Sequence, residues 1–130
     1  MGAAGFPTGF GAAVRHFNSG EFFEAHEGFE ELLDAVEGDA RWDLLVALIQ
    51  VSVGYHKLFS AHPGAARMLR LGAEKLAAFP SVAWGIAVER LRARALHDAD
   101  MLDAGDVPER SATAAPRIEM LKTDPAAGHG

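Results

Sequence analysis

The stretch LLVALIQVSVGY, Leu44 to Tyr55, decides how the rest of the chain must fold. Between its ends only Gln50 and Ser52 carry polar side chains, so a helix built on it is apolar on nearly every face. Such a helix needs neighbours around it. It is well short of the roughly 20 apolar residues that a membrane span requires, which makes it a core helix. Extended outward, the helix runs from about Ala40 to Phe59, with Asp39 placed to cap its N-terminus.

Helical patterning continues on both sides, and no convincing strand alternation interrupts it. Thr8 can cap a first helix that ends at Asn18-Ser19-Gly20, and a second runs from about Glu21 to Val36 before Gly38. Pro63 lies near the first turn of a fourth helix that stops at Phe79, ahead of Pro80. Ser81 can cap a fifth, reaching about Leu102. The expected fold is all-α: a single-domain bundle of about five helices, one central and buried, wrapped by the others. This domain covers residues 1–104. Residues 105–130, with Pro108, Pro116 and Pro125, read as a loosely packed or disordered C-terminal tail, with one short element around Arg117 to Leu121.

Composition narrows the function classes. At 49% hydrophobic and 23% charged residues, 130 residues make one globular domain with a core of useful size. The absence of cysteine removes disulfides, thiolate nucleophiles and cysteine zinc sites, and fits a cytoplasmic location. A net charge of −6 repels polyanions, and the only basic run is Glu89 to His97, where Arg90 and Arg94 share a face. No nucleic-acid partner is expected. The N-terminal residues lack the pattern of a secretory signal, and no membrane association is expected.

The chemistry concentrates in FNSGEFFEAHEGFEELL, Phe17 to Leu33. At 100° per residue, Phe22, Ala25, Phe29, Leu32, Leu33 and Val36 form an apolar arc that contains His26, with Glu30 one turn on. Glu24, Glu27, Glu31 and Asp34 fall on the wetter face, Glu27 at its boundary. A buried polar group needs a partner. If the second and third helices are antiparallel neighbours, Gln50 meets His26 and Glu30, and His56 adds a further polar group.

Two readings follow from this cluster. In one, His26, Glu30, Glu27, Gln50, His56 and Glu24 form a pocket for an unidentified small molecule, or for a divalent metal held by His26, Glu30 and Glu27. In the other, the protein is a non-catalytic interaction module, compatible with a homodimer, whose polar cluster only fixes helix packing. No reaction is indicated. His26 to Glu30 lacks the second histidine of a zinc-protease helix, and the chain has neither a Glu-x-x-His pair nor a glycine-rich phosphate loop. His16, His62, His97 and His129 read as surface or cap residues, and Trp42 and Trp84 as core or interface residues. Gly64, Ala65 and Ala66 are expected to let the fourth helix approach a neighbour closely.

Three blocks, FNSGEFFEAHEGFE (Phe17 to Glu30), LIQVSVGYH (Leu48 to His56) and PGAARML (Pro63 to Leu69), resemble the small helical family called the domain of unknown function numbered 309. The resemblance implies a bundle with one central helix and makes Glu24, His26, Glu27, Glu30, Gln50 and His56 the signature positions. It implies no activity. Leu33 stands where that family usually has tryptophan, and Ala47 where it usually has glycine.

Overall fold

Helix α3 (Ala40–Phe59) occupies the middle of the molecule, as its composition requires. In the computed structural model, which describes residues 5–108 and 115–121, nine of its residues are buried, from Leu44 to Leu58. Asp39 caps it: the carboxylate accepts the Arg41 amide at 2.7 Å. Against it pack α2 (Phe22–Glu30) and α4 (Ala65–Leu76), with α1 (Phe10–Asn18) on α2 and α5 (Val88–Asp103) on α4. The fold is therefore the all-α single-domain bundle that the sequence predicts, and the described residues contain no strand beyond isolated bridges.

Several boundaries differ from the expectation. The first helix starts after Gly9, whose φ of 107° no side-chain cap assists, so Thr8 is not the cap. The second does not run on to Val36. It ends at Glu30, and a 3₁₀ turn over Leu33–Val36 replaces its last turns. That tighter winding keeps both Leu32 and Val36 in the core. Helix α4 begins after Gly64 at φ 90°, past Pro63, and unwinds after Leu76 through a tight turn that ends at Phe79.

The fifth helix starts six residues later than a cap at Ser81 suggests. Ala83 and Ile86 exchange both backbone hydrogen bonds, at 3.1 and 2.8 Å, around Trp84 and Gly85, which both have positive φ. That is the geometry of a two-residue hairpin turn of mirror-image type. Trp84 is the costly member because left-handed backbone suits glycine far better than an aromatic residue. Its ring packs edge-on against Phe6 and Phe79.

Within the segment read as a loose tail, residues 115–121 lie against the bundle. Asn18 grips Ile118 from both sides: its amide nitrogen donates to the Ile118 carbonyl at 3.0 Å, and its oxygen accepts the Ile118 amide at 2.7 Å. Leu121 and Ala87 add backbone bonds to Gly85 and Glu119, and Ile118 is fully buried.

Glycine sets the spacing of the central pair. A Cβ on Gly72 would lie 2.5 Å from Val51 Cγ2 and 3.1 Å from the Ala47 carbonyl oxygen, and one on Gly54 would lie 2.7 Å from Leu69 Cδ2. Helices α3 and α4 thus meet backbone to backbone at Gly54 and Gly72, a closer approach than the Gly64-Ala65-Ala66 run provides. The α3 wrap is open along one edge. Trp42, Val46, Ile49, Gln50, Val53, His56 and Lys57 are half-buried or exposed, and Trp42 is 36% accessible.

Candidate functional site

The polar atoms at the centre of the bundle are not those the sequence singled out. Asp98 of α5 is 1% exposed, and its Oδ2 accepts the Tyr55 hydroxyl at 2.6 Å and the Arg94 Nε–H at 2.8 Å. Arg94 and Asp98 lie four residues apart, one turn of α5. Burial, with the Asp98 carboxylate alongside, pushes the Tyr55 hydroxyl well above the ordinary tyrosine range. This group is sealed and satisfied, so it reads as packing. Sequence reasoning missed it because Asp98 sits in a charged run that looks solvated, and only the fold turns it inward.

The six expected site residues do not share one hollow. His26 and His56 line one hollow of about 290 Å³ with Phe23, Val53, Lys57 and His62. Glu24 and Glu27 line a different hollow, of about 350 Å³, between α1 and α2, where His16 and Glu31 also lie. Glu30 is exposed, and no hydrogen bond joins it to His26 or Gln50. Gln50 sits on α3 between Ala47 and Gly54, the row that meets Leu69 and Gly72 of α4. Helix α2 meets the opposite flank, where Phe22 stacks near Tyr55 and Phe23 near His56. The predicted meeting of His26, Glu30 and Gln50 therefore does not form. The sequence argument assumed that every face of α3 is covered; the edge carrying Gln50 is not. Its Oε1 is nevertheless buried, and has no hydrogen-bond partner among the described residues.

What does converge is aromatic and basic. The Phe23 ring lies 5.0 Å from His26 and 5.4 Å from His56, and His56 stacks towards His62 with ring centres 6.4 Å apart. His26 Nδ1 is 2.8 Å from the Phe23 carbonyl oxygen. A carbonyl only accepts, so Nδ1 carries the proton, and Nε2 remains the basic nitrogen of the neutral ring. His62 reaches the hollow on the turn after α3, where its amide donates to the Lys57 carbonyl at 2.8 Å. His62 is the member that sequence reading passed over. Its distance in sequence from the glutamate–histidine run gave no signal, although it follows His56 by six residues across a tight turn.

The lining thus holds three imidazoles and one ammonium around Phe23 and Val53 and, among the described residues, no carboxylate. Among the described residues, no three or more histidine, aspartate or glutamate side chains are grouped to hold a metal ion. His26 and Glu27 in particular line different hollows on either side of α2, which does not make a ligand set. The basic run on α5 is also engaged: Arg90 pairs with Glu119 at 2.6 Å, Arg92 with Glu89 at 2.7 Å and Arg94 with Asp98. No helix among the described residues is long and apolar enough to cross a membrane.

Fold and site together define a small all-α bundle with a basic, ring-lined hollow at the α2–α3 edge. Residues 10–69 match the model of a family described as Domain of unknown function (DUF309), so the likeness drawn from the three sequence blocks is shown over that span. The match takes in α1 to α3 and the start of α4, including every residue that lines the basic hollow. No curated protein and no solved structure matches the chain.

Proposed function

We propose that the protein binds a small organic anion in the hollow formed by Phe23, His26, Val53, His56, Lys57 and His62. The observation that carries this reading is the composition of the lining: four basic groups and, among the described residues, no acid around an aromatic ring, in a chain whose net charge is −6. A local basic pocket on an acidic protein selects anions against the average field of the molecule. Phe23 and Val53 supply an apolar wall for a ring or short carbon body. The volume of about 290 Å³ lies at the small end of ligand pockets. His26 is held by its own helix, so it presents Nε2 without having to be ordered on binding. Once protonated, the same nitrogen donates to the anion.

The test is calorimetric titration with benzoate at fixed ionic strength, with benzyl alcohol as the neutral control. Saturable benzoate binding supports the assignment. Benzyl alcohol should bind far more weakly. Equal binding of both compounds, or no saturable benzoate signal, contradicts it.

A second reading, an interaction module, is favoured by a separate observation: the open apolar edge of α3.

A further inference from the structure

The uncovered edge of α3 has an internal order. Its half-buried and exposed residues are Trp42, Asp43, Val46, Ile49, Gln50, Val53, His56 and Lys57. All fall on one side of the helix at 100° per residue. Each pairs with another about a point midway between Ile49 and Gln50. Trp42 mirrors Lys57, Asp43 mirrors His56, Val46 mirrors Val53, and Ile49 mirrors Gln50.

We propose that this edge is the interface of a two-fold dimer in which the α3 helices of two copies pack antiparallel, crossing between Ile49 and Gln50. An isologous interface requires a patch complementary to itself, and the charges of this strip are arranged that way. Its N-terminal end carries Asp43 and the ring of Trp42, and its C-terminal end carries Lys57 and His56. Antiparallel packing lays Lys57 of one copy over Trp42 of the other, a cation facing an aromatic ring. It also brings Asp43 beside His56 and Lys57 of the second copy. A parallel pair would instead set Asp43 against Asp43 and Lys57 against Lys57.

Val46 and Val53 then close an apolar centre. Phe23, 45% exposed beside His56, extends the apolar surface at each end of the strip. Trp42 and Asp43 of the second copy consequently sit at the rim of the hollow that His56 and Lys57 line, so association and anion binding compete for these two basic groups. The dimer rests on the α3 strip alone and does not depend on an anion being bound.

Sedimentation equilibrium on the full chain, over a range of concentrations without ligand, tests the proposal. The expected result is reversible association to twice the 13.8 kDa chain mass. Val46→Glu should yield a monomer that is still helical by circular dichroism. Asp43→Lys and Lys57→Asp should each weaken association about tenfold or more through like-charge contacts, and the double variant should recover it. That recovery is specific to the antiparallel register, because neither single change alters the sign of a self-contact between equal positions in a parallel pair. A chain that stays monomeric at every concentration, whatever covers the strip instead, overturns the proposal. So does a dimer indifferent to both Val46→Glu and the charge reversals.

Discussion

The Tyr55 hydroxyl donates to Asp98 Oδ2 at 2.6 Å, a bond that ties the central helix directly to α5. Both side chains are buried, Tyr55 completely, and Arg94 supplies a second donor to the same oxygen. An acceptor of this kind is costly to leave short of a donor, because water cannot replace the one removed. Tyr55→Phe keeps the ring stacking with Phe22 and Phe59 and deletes only the hydroxyl. It should cost about 1–3 kcal/mol in urea unfolding, with the midpoint shifted and the slope unchanged. A change near zero would show that Arg94 alone satisfies Asp98.

The same residue gives the protein an alkaline limit. Tyr55 is its one tyrosine, so tyrosinate absorbance reports this site alone. Burial, then the Asp98 charge, raises its folded-state pKa. At pH values below the unfolded tyrosine pKa of about 10, both states hold the proton and the stabilisation is fully present. Above it the unfolded chain ionises first, so stability falls with rising pH by up to about 1.4 kcal/mol per pH unit. Tyrosinate should therefore appear together with the loss of helical circular dichroism. Its appearance near pH 10 in a protein that remains folded would contradict the burial of Tyr55.

The close approach of α3 and α4 makes a third expectation. Gly72→Ala adds a methyl 2.5 Å from Val51 Cγ2, on a β-branched side chain with little freedom, and 3.1 Å from a backbone oxygen. Alanine gains about 1 kcal/mol of helix propensity over glycine, but overpacking of this kind costs about 1–3 kcal/mol. The net effect should be destabilising in thermal unfolding. Gly38→Ala, where nothing lies within 4 Å but φ is 92°, should also destabilise, through backbone strain alone. A stabilised Gly72→Ala would mean that the two helices can separate without loss.

Periodicity made the fold class legible. An apolar run from Leu44 to Tyr55 has few solutions other than a core helix, and the Asp39 cap is written into its start. The turns were less readable. Trp84-Gly85 forms a mirror-image turn without the asparagine–glycine or aspartate–glycine pair that usually signals one, so the fifth helix looked longer than it is. The site was half readable. His26 was found because it breaks an apolar arc, and His56 because it lies one turn beyond Ser52 on the central helix. Glu24 enters the expected cluster through the family resemblance and Glu27 from the boundary of the wetter face, and α2 turns both to its other side. Gln50 was paired with His26 on the premise of a fully covered helix. Nothing local in the sequence says which edge of a bundle stays open.

The most direct test of the anion pocket is long-range proton–nitrogen correlation spectroscopy of the imidazole rings during a benzoate titration. Six histidines are present, and among the described residues His26, His56 and His62 line the hollow. Before ligand, at a pH where it is neutral, His26 should show a protonated Nδ1 and a bare Nε2, as its bond to the Phe23 carbonyl requires. On addition of benzoate, the three hollow-lining rings should shift together with one saturation curve, while His16 and His97 stay fixed. A protonated Nε2 on neutral His26, or benzoate shifts at His16 and none at the hollow, would contradict the assignment.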